Sequence, residues 1–192
     1  MEITFTVFGE QRPQGSKTCR VIYRNGKPVT AASGRIVTAT MEANPHTKEW
    51  RRQVSDAAFE AMLGKHLIDG PVALHLTVYR VRPKGHFGSG KNSGTVKGSA
   101  LAYPTTKPDL LKLARAIEDA MSGIVYRDDN QVVRHDLQEF YGEQFRTDVR
   151  VVSLPKTVDD LKSAEKQVKT WEREYASLVE FRRAIEEGTS DD

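Results

Sequence analysis

Three carboxylates stand at joints of this chain where chemistry on a phosphodiester becomes possible. Asp109 lies in Lys107-Pro108-Asp109-Leu110-Leu111-Lys112-Leu113, and Asp128-Asp129 follow nineteen residues on, ahead of Asn130-Gln131-Val132. Between Asp69 and Asp109 there is no acid, while Arg80, Arg82, Lys84, Lys91, Lys97 and Lys107 supply six bases. Carboxylates that share a divalent cation polarise a scissile phosphate, activate water and shield the leaving oxygen. Asp109, Asp128 and Asp129 are therefore the candidate metal ligands, with Mg²⁺ the expected ion and Mn²⁺ its substitute. Lys112 and Arg115 lie close in sequence, and one such cation stabilises charge developing on phosphorus. Arg80, Arg82, Lys84, Lys91, Lys97, Lys107 and Lys112 are the candidate nucleic-acid contacts. Leu111 stands where this chemistry favours another acid. Each acid also has a structural reading, as a helix cap, a dipole partner or a turn residue, and basic runs are often merely solvated.

The elements that must position these groups follow from pattern. Ile3, Phe5 and Val7 alternate with Thr4, Thr6 and Phe8 as a strand, and Gln11 to Lys17 is a loop. Asn25-Gly26, between Arg20-Tyr23 and Pro28-Thr30, signals a hairpin, and Arg35 to Thr40 reads as a short extended piece. Asn44-Pro45 opens a helix with the stripe Trp50, Val54, Ala57 and Ala61, ending before Gly64. Pro71 to Tyr79 is the clearest strand, with Val72, Leu74, Leu76 and Val78 on one face. Periodicity then vanishes from Arg82 to Thr106, a Gly- and Ser-rich stretch read as a mobile basic loop. Asp109 to Met121 is a helix with the stripe Leu110, Leu113, Ala114, Ile117 and Met121, stopped by Ser122-Gly123. Leu111 falls outside that stripe, toward Arg115 and Glu118. Ile124-Tyr126, the run from Gln131 and Phe145-Leu154 are extended, the last with Val149 and Val151 on one face.

Pro155 marks a boundary. Thr157 and Asp160 form a capping box for a long amphipathic helix bearing Leu161, Ala164, Val168, Trp171, Tyr175 and Leu178. That stripe requires cover, either from the preceding domain or from a second subunit. The expectation is an α/β fold: residues 1–155 as one domain with the loop at about 82–106, and 156–192 as a helical extension.

Composition sets limits. The chain has 192 residues, 38% of them hydrophobic and 29% charged, as in a soluble globular protein, and a net charge of only +3. One cysteine, Cys19, excludes an intrachain disulfide framework and a cysteine zinc site. No apolar run reaches the roughly 18 residues of a membrane span, and Met1-Glu2-Ile3 opens a strand rather than a signal peptide. No histidine pair has metal-binding spacing, His75 and His135 read as surface or satisfied groups, and no glycine run matches a nucleotide fingerprint. Tyr23, Phe87 and Tyr103 offer rings for stacking on bases or for ordinary packing.

Lys107-Pro108-Asp109-Leu110-Leu111-Lys112-Leu113, Asp119-Ala120-Met121-Ser122-Gly123 and Asp128-Asp129-Asn130-Gln131-Val132 together resemble the signature of the RusA family of Holliday junction resolvases, over about residues 1 to 155. The resemblance implies a small RusA-like α/β domain, a mixed sheet packed against helices, acting as a homodimer on four-way DNA junctions. It implies paired Mg²⁺- or Mn²⁺-dependent nicks, a phage or prophage endodeoxyribonuclease of recombination and repair, and a place in the bacterial cytoplasm or nucleoid, with no membrane. By the same resemblance Asp109 and Asp129 match catalytic aspartates, with Asp128 beside them, and Arg115 matches a catalytic lysine. The family's second aspartate falls on Leu111, which neither ligates a metal nor accepts a proton. Two further readings follow: a four-way-junction binder of the same fold with impaired catalysis, and a structural or protein-interaction module.

Overall fold

The computed structural model describes residues 1–14, 17–42 and 46–188, in two compact units, Met1–Ser153 and Leu154–Asp192. In the first unit, β1 (Glu2–Phe8) leads through a loop to β2 (Lys17–Val21), β3 (Tyr23–Arg24), β4 (Lys27–Pro28) and β5 (Thr38–Glu42). Then come α1 (Thr47–Met62), β6 (Val72–Val81), α2 (Leu110–Met121), β7 (Val132–Gly142) and β8 (Arg146–Ser153). The main sheet has the order β1-β8-β6-β7, antiparallel except for the parallel pair β6 and β7. A parallel pair needs a crossover, and the long loop plus α2 supplies it.

The expected hairpin is divided between two ribbons. Asn25 and Gly26, at φ 50° and 76°, turn the short β3–β4 pair, while Arg20 and Val21 belong to β2, whose partner is β5. The helix opening expected at Asn44-Pro45 lies outside the described residues. Ile124 to Tyr126 is a correction: it is a turn, closed by the Gly123 amide donating to the Tyr126 carbonyl at 2.7 Å. Tyr126 then bridges to Ile68 and is fully buried.

The alternation of β6 puts Val72, Leu74, Leu76 and Val78 into the core beside Ile3, Val7, Val149 and Val151. Each such side chain removed from water stabilises the fold by roughly 1.5–3 kcal/mol. Two helices cover that face and touch each other. On α1 the buried row is Trp50, Val54, Ala58 and Met62, an i, i+4 ridge, so Ala57 and Ala61 are only half-buried. On α2, Leu110 is half-buried, whereas Ala116 and Ala120 are buried because the helix is gripped by sheet and α1 together. These alanines let α1 and α2 approach closely.

The loop between β6 and α2 carries internal structure. Short 3₁₀ turns occupy Lys84–His86 and Gly90–Asn92, and Phe87 bridges to Val96. At Gly88 a Cβ would lie 2.6 Å from the Asn92 carbonyl oxygen, so no larger residue fits without displacement.

In the second unit, α3 (Val158–Gly188) opens with the expected capping box: Thr157 N–H donates to Asp160, and Asp160 N–H to the Thr157 hydroxyl. Leu161, Val168, Trp171 and Tyr175 are exposed, and the last two rings stack at 5.4 Å. Among the described residues, no helix is long and apolar enough to cross a membrane.

Candidate functional site

Asp109 is the residue at which the chain turns into α2: its backbone is extended, and its carbonyl accepts the first helical hydrogen bonds, from Lys112 and Leu113. Its carboxylate makes no cap, and instead lies 3.2 Å from the Lys112 ammonium, both groups well exposed. The Lys107–Pro108 peptide before it is cis. A cleft of about 370 Å³ opens here, lined by Lys107, Asp109 and Lys112 from one side and Glu10, Arg12 and Pro13 from the other. The opposing loop is held firmly. Gln11 is buried and its amide donates to the carbonyls of Tyr79 and Arg146 and to the Thr147 hydroxyl, while the Gln14 amide N–H donates to the Lys112 carbonyl. Within the cleft Arg12 pairs with Glu10 at 2.6 Å. Lys107 has no such partner among the described residues.

Leu111, Arg115 and Asp119 follow at i, i+4 and i+8, and so lie along one face of α2. Leu111 is 73% exposed. Arg115, also exposed, makes no hydrogen bond or ion pair among the described residues, and its charge acts on Asp129. Asp119 accepts from Arg51 of α1 at 2.6 Å and from Gln14 at 2.9 Å, tying three segments together. Glu118 accepts from the imidazole of His135 on β7. Asp128 caps the 3₁₀ turn at Asp129–Gln131: its carboxylate accepts from the Asn130 N–H, and Gln131 reaches back to the amides of Arg127 and Asp128.

Asp129 stands out electrostatically. Its carboxyl is raised above its ordinary value of 3.8, first by desolvation, then by the hydrogen bond and charge of Asp128 and the charge of Asp119; Arg115 opposes the rise. The Tyr126 hydroxyl donates to the Glu118 carbonyl at 3.1 Å, and burial followed by the charges of Glu118, Asp129 and Asp119 pushes its pKa up. The far end of α2 is thus a dense acidic neighbourhood in which Glu118, Asp119 and Asp128 already have donors.

The family model of endodeoxyribonuclease RusA matches residues 25–152. The chain belongs to the RusA family. It is also 32% identical over 149 residues, 78% of this chain and 94% of the other, to the uncharacterized protein YqaN of Bacillus subtilis (strain 168).

Asp109, Leu111 and Asp128-Asp129 all lie within the matched residues. Among the described residues, no three or more His, Cys, Asp or Glu side chains are grouped to hold a metal ion. Asp109 and the Asp128–Asp129 pair, named from sequence as metal ligands, stand at the two ends of α2 and form no such group among the described residues. Asp109 is engaged by Lys112 at one joint, and Asp128 is engaged as a cap at the other. The neighbouring acids offer no ready substitute, because Asp119 serves Arg51 and Gln14, and Glu118 serves His135.

The six bases between Asp69 and Asp109 divide into two groups. Arg80 is tied inward: it donates to the carbonyls of Thr106 and Lys107 and pairs with Glu139 at 3.3 Å. Arg82 donates to the Leu101 carbonyl and lies 4.2 Å over the Tyr141 ring, and Lys97 donates to the Gly85 carbonyl. These three hold the loop to itself and to the sheet. Lys84, Lys91 and Lys107 are exposed and make no side-chain bond among the described residues. Sequence reasoning missed Arg51, Gln14 and His135 as neighbours of the acids, since each reaches them from another element. His75 is satisfied by Asp136 at 3.2 Å.

Proposed function

We propose that this RusA-family chain binds branched DNA, four-way junctions above all, and that its metal-dependent cleavage is impaired at Leu111. The observation that carries this reading is Leu111 itself. A leucine 73% exposed on the charged face of α2 fills no core, and it occupies the motif position where the family has an aspartate. Removing one carboxylate from a site that must fix a metal removes affinity and placement together. The binding half of the reading draws on the cleft at the start of α2, on Lys84, Lys91 and Lys107, and on the acid-free stretch that carries them. A homodimer suits the substrate, because a two-fold axis in the protein matches the near two-fold symmetry of a four-way junction.

The test is a gel-shift of a four-way junction against duplex across a salt series, run beside a cleavage assay with Mg²⁺ or Mn²⁺. The expected result is junction-preferring binding that weakens steeply with salt, through counterion release, without nicks. Paired symmetric nicks would select a fully active resolvase instead. Absence of binding to any DNA would leave only an interaction module.

A further inference from the structure

We propose that Tyr103 is a stacking platform for an unpaired nucleobase. This rests on the DNA-binding reading above and adds to it a site for the base rather than the phosphate. Tyr103 lies in the returning limb of the β6–α2 loop and is 59% exposed. Its ring is backed by Phe140 of β7, at 5.9 Å between centroids and 46° between planes. Phe140 in turn lies 6.1 Å from Tyr79, its register partner on β6. The Arg146 guanidinium of β8 sits 4.2 Å over the Tyr79 ring, and Arg146 is the register partner of Tyr79 on that side. Three adjacent strands thus build a row of guanidinium, ring and ring, and Tyr103 ends it with most of its surface bare.

The limb carrying Tyr103 is tethered on both sides of the ring. Arg82 donates to the Leu101 carbonyl at 2.8 Å, and Arg80 donates to the carbonyls of Thr106 and Lys107 at 2.8 and 2.9 Å. A ring fixed this way loses little conformational entropy when a flat partner arrives. Nucleobases fit the site better than an apolar peptide. The segment from residue 70 to 108 holds no acid, so a phosphate flanking the base meets no repulsion, and Lys107 follows four residues on. Bases inside a duplex are stacked on both faces and cannot use the ring, whereas a base at a branch point exposes a face. Tyr103 accordingly gives preference for branched or unpaired DNA.

The experiment uses the full chain, a four-way junction carrying 2-aminopurine at the crossover, and the variants Tyr103→Ala and Tyr103→Phe. The unaltered protein quenches the 2-aminopurine fluorescence. Tyr103→Ala loses the quench and about 5- to 150-fold of junction affinity, the range for one base–aromatic stack. Its duplex affinity and thermal unfolding stay as they were, and Tyr103→Phe keeps quench and affinity. Undiminished quench and affinity in Tyr103→Ala overturn the platform while leaving DNA binding intact. Equal losses for junction and duplex also overturn it, since they assign Tyr103 to shaping the loop. No shift with any DNA removes the DNA-binding reading and the platform with it.

Discussion

At its first turn α2 presents Asp109, Leu111 and Lys112 to solvent beside an open cleft, with one exposed ion pair among them. Around its last turn Glu118 and Asp119 are each held by a partner from another element, Asp128 caps its own turn, and Tyr126 is buried beside them. The two ends carry similar side-chain chemistry under opposite constraints. An acid in the first turn is free to serve a ligand because the fold does not need it, whereas an acid at the far end is already spent on joining segments. Leu111 therefore lies at the end where a carboxylate can be introduced without structural cost.

That difference makes its strongest prediction at Leu111. Leu111→Asp raises Mg²⁺-dependent junction cleavage by about 10²-fold or more, comparable to restoring one stabilising group in other active sites. Stability stays within about 0.5 kcal/mol, because the leucine is exposed and the first turn of a helix favours an acid. Equal cleavage rates for the two proteins would break the link between this position and turnover.

Next in size is the contrast between acids at the two ends. Asp119→Ala removes the carboxylate bound by Arg51 and Gln14 and costs about 2 kcal/mol, or about 4–8 °C in Tm. Asp109→Asn, at the exposed first turn, leaves Tm unchanged to within about 2 °C. Similar shifts for both would show that the ends do not differ as described.

Arg80→Ala tests whether the loop is built by its own arginines. It frees the carbonyls of Thr106 and Lys107 and leaves Glu139, whose pKa burial raises against the pull of Arg80, without its cation. A loss of about 1–2 kcal/mol is expected, with faster amide hydrogen exchange confined to the loop. Lys91→Ala, at an exposed residue, changes neither reading.

The smallest effect concerns Asp129. Because its pKa is raised in the fold, the ionised form costs stability at neutral pH, and the cost disappears below 3.8, where the carboxyl is protonated folded or unfolded. Asp129→Asn thus raises Tm slightly at pH 7, and the gain shrinks to nothing in acid. A gain that persists at pH 3 assigns the effect to something other than charge.

Much of the architecture was legible because burial imposes a period. The alternation in β6, the stop at Ser122-Gly123 and the capping box at Thr157 and Asp160 are local devices with local causes. The stripe of α1 was read one residue off at Ala57 and Ala61, since the packing angle of a helix, which no periodicity reveals, selects the row that faces inward. The turn at Ile124 to Tyr126 was misread as extended because buried apolar runs look alike in a turn and in a strand.

By itself the sequence determined the family, the main helices and strands and the exposure of Leu111, all of which follow from residue type and spacing along the chain. Only the tertiary structure decided which of the chain's charges are available. Asp119 is claimed by Arg51 across 68 residues and by Gln14 across 105, and Arg80 by carbonyls 26 and 27 residues away. Hydrogen-bond partners are chosen by proximity in the folded chain, so whether an acid or a base is free for a ligand is a property of the fold rather than of the motif.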